Sequence, residues 1–558
     1  MPQPLTPLQH TRPTSTQLGA SLSTQERLQM NSLRPVSRSG NGAAEYQNDV
    51  EGDATEESLD ARVQRLGRER PGVFLTAWSE VAFVFSIIMS QLLTEYFVSG
   101  FTLLLPTVIR ELDIPQASTV WPATAFSLVI ASTLMVFGRL GDMFGGYPVF
   151  IGGLSWLLIW SIITGFSTSS IMLNVCRALQ GLGAAAALPT GIQIMGSTYR
   201  SGPRKNLVFA IYGFFGGIFF AGLIGQYTRW GFYFWIGAIM TAITLTSSSY
   251  AIRPDQAQAV KERPQMDYLG AMTIVIGLVL LVLSITQSAH ATAGWRTPYI
   301  LVCFILAVIS LSATGYVEAR VATHPLLPAS IFCTPSMTPL LFALLLLFGS
   351  WGIFSVYGTL YFQNIMSASP LQVVAWYVPL GVAGLLLSIL EGFILHLVPA
   401  RLLLGISGLG ALGSQLLLEL MPGANANYWA WIFPATILST IGIDLSVILM
   451  TVFITTTFPS AQQGLAGGVL NSVLQLGVAL TLGLTDIVQS ATVGQVGLAR
   501  SYKNTFWFGI AVSGMGLILM LVWGRIPKAT SELSPEEKAE LVQVAEHEGQ
   551  EGVTRSDP

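Results

Sequence analysis

The stretch FGRLGDMFGGYPVF, from Phe137 to Phe150, separates two long apolar runs with two charged residues and four glycines. The charges are Arg139 and Asp142, and charges are costly inside a bilayer. A short glycine-rich segment that carries solvated charges is typical of a turn between two helices. We therefore predict a turn over residues 138–146, and the nature of the helices that it joins depends on the rest of the chain.

The composition indicates a membrane protein. Of the 558 residues, 52% are hydrophobic and only 10% are charged, and the mean hydropathy is +0.60. A soluble domain carries about 25% charged residues, so this chain lacks the ions to cover a surface that faces water. Apolar runs of about 20 residues, each long enough to cross the hydrocarbon layer as a helix, recur between Phe74 and Trp523. These runs are continuous rather than alternating, which favours helices over a transmembrane barrel.

Motifs for catalysis and for metal binding are missing from the sequence. Cys176, Cys303 and Cys333 stand singly, without CxxC spacing, so neither a disulfide framework nor a thiolate metal site is expected. The sequence has no HExxH and no P-loop motif. We expect no enzyme activity, no cofactor, no metal and no nucleic-acid partner. Residues 1–72 are polar and are predicted to form a disordered tail without a cleavable signal peptide.

Fourteen membrane spans are predicted from the apolar runs, and several adjacent pairs are separated by only a few residues. The predicted spans are residues 77–106, 118–138, 147–166, 171–195, 207–226, 231–250, 268–288, 298–317, 337–361, 374–397, 402–421, 430–454, 464–486 and 504–524.

Lysine and arginine residues are concentrated in the short loops on one side of these spans. If the N-terminus is cytoplasmic, the inner loops contain Arg139, Arg200, Arg204, Lys205, Arg253, Lys261, Arg263, Arg320 and Arg401. The outer loops then contain only Arg110, Arg229, Arg296, Arg500 and Lys503. Because cytoplasmic loops carry the excess of basic residues, we predict that both termini and the turn over residues 138–146 are cytoplasmic.

The predicted turn has a simple structural interpretation. Gly141 and Gly145 stand four residues apart, which lets backbones approach closely. Asp142 is expected near the start of the third span, where a helix N-terminus attracts a carboxylate. On spacing alone, a glycine-rich turn with two solvated charges explains the segment.

The wider sequence resembles two signatures of the major facilitator superfamily. The turn matches the family's loop between the second and third spans, which helps to close the inner gate, through Gly138, Leu140, Asp142 and Gly145. The segment RALQGLGA resembles the family's fourth-span motif, whose arginine is implicated in proton coupling. Its matching residues are Arg177, Gln180, Gly181 and Gly183.

The number of spans and further segments resemble the fourteen-span drug:proton antiporters, particularly their fungal branch. These segments include DYLG from Asp267 and QGLAGG from Gln463. The resemblance covers roughly residues 75–528. It implies an all-α fold with two six-helix bundles (73–252 and 337–528), a linker with two additional transmembrane helices (253–336) and cytoplasmic tails (1–72 and 529–558).

The chain departs from the family pattern in two places. Met143, Gly146 and Tyr147 follow Asp142 where the family's loop usually carries basic residues. The fifth span has a series of glycines but lacks the family's Gly-Pro step and is shorter than expected, so either this branch diverged or the segment has lost a piece. Glycines of the fifth and thirteenth spans are expected to pack helices, namely Gly213, Gly216, Gly217, Gly464, Gly467 and Gly468.

Ionisable residues inside the predicted spans are candidates for coupling, since such residues are costly in a membrane and often functional. The candidates for substrate binding or proton coupling are Arg177, Asp444, Glu95, Gln91 and Glu391. Arg177 carries the specific motif match, and Asp444 lies near mid-span. The alternative for Arg177 is a structural ion pair, and for Glu95 and Glu391 it is an interfacial acid of little importance.

Together these features predict a secondary active transporter that exports drugs, toxins or other small organic molecules by alternating access, driven by the proton gradient. The expected partners are a small-molecule substrate, protons and the lipid bilayer, and the protein is expected to work as a monomer in the plasma membrane. Alternatives are a nutrient, siderophore or vacuolar amino-acid or ion carrier of the same superfamily and a transporter-like sensor, and the alternative location is the vacuolar membrane.

Overall fold

The computed structural model describes residues 74, 76–115, 118–198, 223–224, 226–252, 265–291, 293–322, 325–327, 329–458 and 460–524. Within these residues, every regular element is a helix. The expected all-α class is therefore confirmed.

The helices of the first half precede the predicted linker. They are α1 (Ala77–Glu95), α2 (Phe101–Glu111), α3 (Trp121–Phe144), α4 (Gly146–Thr164), α5 (Ser170–Thr198) and α6 (Gly231–Ala251). A π-helical turn over Tyr96–Gly100 joins α1 to α2, so that the two form one continuous span.

The linker and the second half contain the remaining helices. They are α7 (Tyr268–Ser288), α8 (Pro298–Arg320), α9 (Ala329–Cys333), α10 (Met337–Asn364), α11 (Pro370–Leu397), α12 (Ala400–Leu420), α13 (Phe433–Thr457), α14 (Ser460–Val496) and α15 (Leu498–Trp523). A second π-helical turn, Tyr428–Ile432, precedes α13.

Thirteen segments in the described part of the chain are long and apolar enough to cross a membrane. They correspond to thirteen of the fourteen predicted spans. The remaining predicted span, residues 207–226, lies mostly outside the described residues, as do the glycines Gly213, Gly216 and Gly217. The predicted tails over residues 1–72 and 529–558 also lie outside them.

Helix packing separates into two sets that meet at several helix pairs. In the first set, α5 packs against α3 and α4, and α6 packs against α1 and α4. In the second set, α10 packs against α14 and α15, α12 against α13 and α15, and α11 against α13. The sets meet where α3 and α5 contact α14 and where α2 contacts α10 and α11. The domain boundaries given above stay predictions.

The helix pair α7–α8 lies at the junction of the two sets. Helix α7 packs against α8 and also against α3 and α14. The outer face of α8 carries Leu301, Ile305 and Ile309, which are spaced four residues apart and exposed. An apolar stripe of this kind suits contact with lipid, so α7 is the member of the pair that connects to the rest of the protein.

The turn predicted over residues 138–146 is wrong in its extent. Helix α3 continues through Phe144, and only Gly145 leaves the helical conformation, with φ of 97° and ψ of 146°. Glycine adopts such a positive φ without the penalty that a Cβ imposes. Asp142 consequently lies in the last turn of α3 and not at the start of the next helix, so the predicted attraction to a helix N-terminus is wrong as well.

The glycines of this segment fit a helix because a neighbouring helix lies very close. A Cβ at Gly141 would lie 2.8 Å from the side chains of Gln193 and Thr190 on α5. Small residues of this kind let helix backbones approach in membranes. The pattern that resembled a loop therefore marks a helix–helix contact followed by a one-residue break.

Candidate functional site

Arg177 is fully buried on α5 and is held by backbone carbonyl groups. Its Nη2 donates to the carbonyl oxygen of Phe97 at 2.7 Å, and its Nε donates to that of Pro122 at 3.0 Å. These acceptors belong to the first span and to the start of α3. The motif arginine thus connects three helices.

The surroundings of the Arg177 guanidinium are aromatic. Its Cζ lies 4.3 Å from the ring centroid of Phe101 and 4.5 Å from that of Phe126, distances at which a cation is attracted by a ring face. Nη1 has no hydrogen-bond partner among the described residues. Among the described residues, Arg177 therefore contacts carbonyl groups and aromatic rings. The alternative prediction, an ion pair with a carboxylate, is not what these contacts show.

The π-helical turn explains how Phe97 reaches Arg177. Such a turn inserts an extra residue into a helix and is frequently found at functional sites. Tyr96, in the same turn, donates its hydroxyl to the carbonyl of Tyr233 on α6 at 2.6 Å, and the two tyrosine rings stack with centroids 4.2 Å apart. The turn is consequently fixed from two sides, by α5 and by α6.

The other residues of the α5 motif pack the first half together. Gln180 donates through Nε2 to the hydroxyl of Ser161 on α4 at 2.9 Å. A Cβ at Gly181 would lie 2.8 Å from the carbonyl oxygen of Phe126 on α3, and one at Gly183 would lie 2.7 Å from the amide nitrogen of Leu157 on α4. The two glycines therefore let α5 approach α3 and α4.

Glu95 lies at the end of α1, half-buried, immediately before the π-helical turn. Its Oε2 accepts a hydrogen bond of 2.9 Å from the hydroxyl of Ser99. Gln91 lies one helical turn earlier and is also half-buried. Glu95 is thus two positions before Phe97 in the chain, and the carbonyl group of Phe97 binds Arg177.

The residues of the α3 signature contact α5 and the segment after α8. Asp142 accepts a hydrogen bond of 3.0 Å from Nε2 of Gln193. Arg139 donates through Nη2 to the carbonyl oxygen of Pro325 at 3.1 Å. Of the other signature residues, Gly138 makes an ordinary contact with Pro189 on α5, and Leu140 is half-buried.

Asp444 lies on α13, in the other helix set from Arg177. It is half-buried, and a Cβ at Gly384 on α11 would lie 2.9 Å from its Oδ2. The carboxylate therefore lies between α11 and α13. Glu391 is a residue of α11 and Gly464 a residue of α14, but the side-chain surroundings of both positions lie outside the described part.

The packing role predicted for Gly467 and Gly468 does not fit the structure. A Cβ at Gly467 would meet nothing within 4 Å, and one at Gly468 would make only an ordinary contact of 3.9 Å with Leu134. The close approaches of α14 occur further along the helix. A Cβ at Gly477 would collide with the carbonyl of Leu345 on α10, and one at Gly483 would lie 2.7 Å from Oγ1 of Thr286 on α7.

A cavity of about 190 Å³ lies between the two halves, at the end of the bundle opposite Gly145. We call it the interhelical cavity. Its apolar lining residues are Leu105, Ile109, Val120, Val356, Leu360 and Leu498. Its polar lining residues are Thr119, Tyr357, Asn364, Asp486, Gln489 and Tyr502.

Two tyrosines of this lining differ in their hydrogen bonding. The hydroxyl of Tyr502 accepts a bond of 3.1 Å from Nδ2 of Asn364. Tyr357 is only 2% exposed, and its hydroxyl has no hydrogen-bond partner among the described residues. A buried hydroxyl without a partner is costly.

Asp486 is a functional candidate that the sequence analysis missed. It is 2% exposed and lies on α14, and its Oδ2 is 2.6 Å from Nε2 of His290. His290 follows the end of α7. The predicted span ended at residue 486, but α14 continues to Val496. The available signal was an aspartate within an apolar run, three residues after a glycine.

The arrangement of buried charges inside thirteen spans is that of a multi-pass membrane protein with a polar site between two helix sets. A profile of the Major Facilitator Superfamily matches residues 87–482. The chain belongs to this family, as its α3 and α5 motifs predicted, and it is a membrane transporter.

Relatives and a solved structure agree with this assignment. The chain is 29% identical to the low affinity ammonium transporter of Saccharomyces cerevisiae, over 86% of this chain and 97% of the relative. It is 28% identical to the efflux pump terJ of Aspergillus terreus, over 79% of this chain and 87% of the relative. The crystal structure of a peptide transporter, POT, matches 83% of this chain and 98% of its own with a TM-score of 0.57 at 14% identity, which supports the fold alone.

Proposed function

We propose that this transporter exports small organic molecules in exchange for protons. The main observation behind this proposal is the interhelical cavity, because it is bounded by both helix sets. A carrier that works by alternating access needs a site at which its two halves meet, so that rocking of one half against the other opens the site to either side. The relationship to the efflux pump terJ supports export as the direction.

Within this proposal, the buried ionisable residues carry the coupling. The bond from Arg177 to the carbonyl group of Phe97 links α5 to the first span. Glu95 immediately precedes the π-helical turn that contains Phe97. Asp444 lies between two helices of the second half. Protonation of an intramembrane carboxyl group removes a charge from a low-dielectric region, which changes the relative stability of the inward-open and outward-open states.

The second candidate is a carrier of a small cation. Among the residues that line the interhelical cavity, Asp486 is the acid, and no basic residue lines it. A cavity of this size whose one charged lining group is a carboxyl suits ammonium or a small amine better than an anion. The relationship to the low affinity ammonium transporter supports this candidate.

Sidedness follows from the loop charges. With the Gly145 end cytoplasmic, the interhelical cavity faces the outer compartment, and both termini face the cytoplasm. The proposed location is the plasma membrane, and the vacuolar membrane is the alternative that goes with the cation carrier. The proposed working form is a monomer.

Efflux and uptake in yeast test these candidates. The protein is expressed in a pump-deficient strain, and the accumulation of ethidium, of a panel of antifungal compounds and of radiolabelled methylammonium is followed with and without a protonophore. Export predicts lower accumulation of at least one compound and loss of this effect with the protonophore. Higher accumulation of methylammonium, with no effect on any organic compound, would replace export by the cation carrier.

Variants of the coupling residues complete this experiment. Arg177→Ala, Asp444→Asn and Glu95→Gln are compared with wild type at equal membrane abundance. Loss of efflux in Asp444→Asn or Glu95→Gln assigns coupling to that acid. Full efflux in all three variants contradicts the proposed coupling residues.

A further inference from the structure

We propose that Asp486 and His290 form a proton-binding site, through which the helix pair α7–α8 takes part directly in proton coupling. This inference rests on the proposed proton-coupled function and identifies a site for the proton. It gives a physical role to the two helices that are inserted between the halves.

The two residues are brought together by close packing of α7 on α14. Three contacts follow one another along the two helices. Val282 and Ala479 share a small buried cluster, Thr286 lies against Gly483, and His290 meets Asp486. The absence of a side chain at Gly483 permits the close approach that places the imidazole 2.6 Å from the carboxyl oxygen.

The pair can bind one proton in a defined place. An ionised carboxylate only accepts hydrogen bonds, so the imidazole then donates through its Nε2–H. When the pair takes up a proton at Nδ1, the Nε2 proton passes to the carboxyl group, whose O–H then donates to the Nε2 lone pair of a neutral imidazole that carries its ring proton on Nδ1. Uptake or release of one proton therefore changes the charge of the pair while a hydrogen bond is kept.

The cavity provides the path for this proton. Asp486 lines the interhelical cavity, and the side chain of His290 is 11% exposed. Tyr357, whose hydroxyl has no hydrogen-bond partner among the described residues, lines the same cavity. The volume of the cavity, about 190 Å³, is large enough for water molecules beside Asp486.

Other titratable and charged groups near Asp486 are either neutral at physiological pH or engaged elsewhere. Helix α10 presents Tyr357 and Asn364, α14 itself presents Gln489, and α15 presents Tyr502. Arg500 and Lys503 of α15 contact Glu419 and the end of α12: Arg500 lies 3.7 Å from a Glu419 carboxyl oxygen, and Lys503 donates to the carbonyl oxygens of Glu419 and Met421. The turn after α7 presents His290, while the lining residues of α2 and those before α3 carry no charge. His290 is thus the basic partner of Asp486.

The consequence concerns the attachment of α7 to α14. An ion pair or charged hydrogen bond at low dielectric is stronger than its neutral counterpart. The contact between the linker pair and the second half therefore depends on the proton. Because α7 also packs against α3, a change in this contact acts where the two halves meet.

Infrared difference spectroscopy tests the site without a substrate. The purified full-length protein in lipid vesicles is stepped between acidic and alkaline pH, and the C=O band of a buried protonated carboxyl group is followed. We expect wild type to absorb in this region, Asp486→Asn to remove the component that Asp486 contributes while those of Glu95 and Asp444 remain, and His290→Gln to shift the midpoint of the Asp486 component by more than about half a pH unit, because a hydrogen-bond partner favours one protonation state. Glu111→Gln, which changes an exposed acid at the end of α2, is the matched control and should leave the band unchanged.

A band that persists unchanged in Asp486→Asn overturns the proposal. If Asp486→Asn does not reach the membrane, Asp486→Glu and His290→Gln are measured instead. The proposed site requires both variants to shift the midpoint of the band. An unchanged midpoint in both contradicts the proposal.

A transport measurement tests coupling at equal amounts of reconstituted protein. In vesicles with ethidium, Asp486→Asn should lose uphill accumulation, because a carrier without its proton site cannot use the proton gradient to favour one state, whereas Glu111→Gln should accumulate ethidium as wild type does. Uphill accumulation by Asp486→Asn equal to wild type contradicts the inference. If wild-type protein moves no probe, the proposed function fails, while the infrared band still decides whether the proton site exists.

Discussion

Arg177 and Phe97 are joined by a hydrogen bond of 2.7 Å between a guanidinium nitrogen and a backbone carbonyl oxygen, and both residues are fully buried. The carbonyl lies in the π-helical turn of the first span. A charged donor on α5 therefore depends on the irregular backbone of another helix. Because water does not reach this place, loss of either partner leaves the other unsatisfied.

Replacing Arg177 is expected to lower stability as well as transport. Arg177→Ala removes two hydrogen bonds from a charged donor, and each such bond contributes about 1.5–3 kcal/mol, so we expect a loss of about 3 kcal/mol or more. Arg177→Lys keeps the charge but not the planar fork that serves two carbonyls, and it should recover only part of the loss. Thermal unfolding in detergent measures both variants. Arg110→Ala, at an exposed site, is the control and should change stability by less than about 0.5 kcal/mol.

Two adjacent glycines of α4 provide a test of the contact with α5. A Cβ at Gly153 would lie 2.8 Å from that of Ala186 and 2.9 Å from the carbonyl oxygen of Gly183, whereas one at Gly152 would meet nothing within 4 Å. Gly153→Ala should therefore cost about 1–3 kcal/mol through overpacking, and Gly152→Ala should be neutral or stabilise the helix by up to about 1 kcal/mol. Equal melting temperatures for the two variants would contradict this packing.

The two cavity tyrosines should respond to loss of the hydroxyl in opposite ways. Tyr357→Phe removes a buried hydroxyl that has no partner among the described residues, so stability should stay equal or rise by up to about 1 kcal/mol. Tyr502→Phe breaks the bond to Asn364 and should cost about 0.5–1.5 kcal/mol. If the Tyr357 hydroxyl serves a ligand, Tyr357→Phe should also raise the KM for transport. Melting curves and concentration-dependent efflux separate these effects, and a destabilised Tyr357→Phe would argue for a hidden partner.

The sequence was most informative where lipid imposes strict rules. Continuous apolar runs predicted thirteen spans that the described residues contain, because only a helix satisfies its own backbone in hydrocarbon. The motif on α5 also predicted the family. The glycines of this motif also have a structural role, since Gly181 and Gly183 let α5 approach α3 and α4.

Local features were predicted less well, because they depend on neighbours. The residues before Gly145 resembled a loop by composition, yet contact of Gly141 with α5 keeps them helical. The π-helical turn that positions Phe97 has no sequence signature that distinguishes it from an ordinary helix. Asp486 gained its importance from His290, which lies 196 positions away in the chain, and no spacing rule connects two such residues.

The central claim is exchange of a small molecule for protons, and one measurement tests it most directly. Purified protein is placed in lipid vesicles with a pH-sensitive dye inside, a proton gradient is imposed, and ethidium movement and internal pH are recorded together. The account predicts that ethidium moves against its own gradient only while the proton gradient lasts, with proton flux in the opposite direction. Equilibration of ethidium at the same rate and to the same level with and without the gradient, and without proton flux, would contradict it.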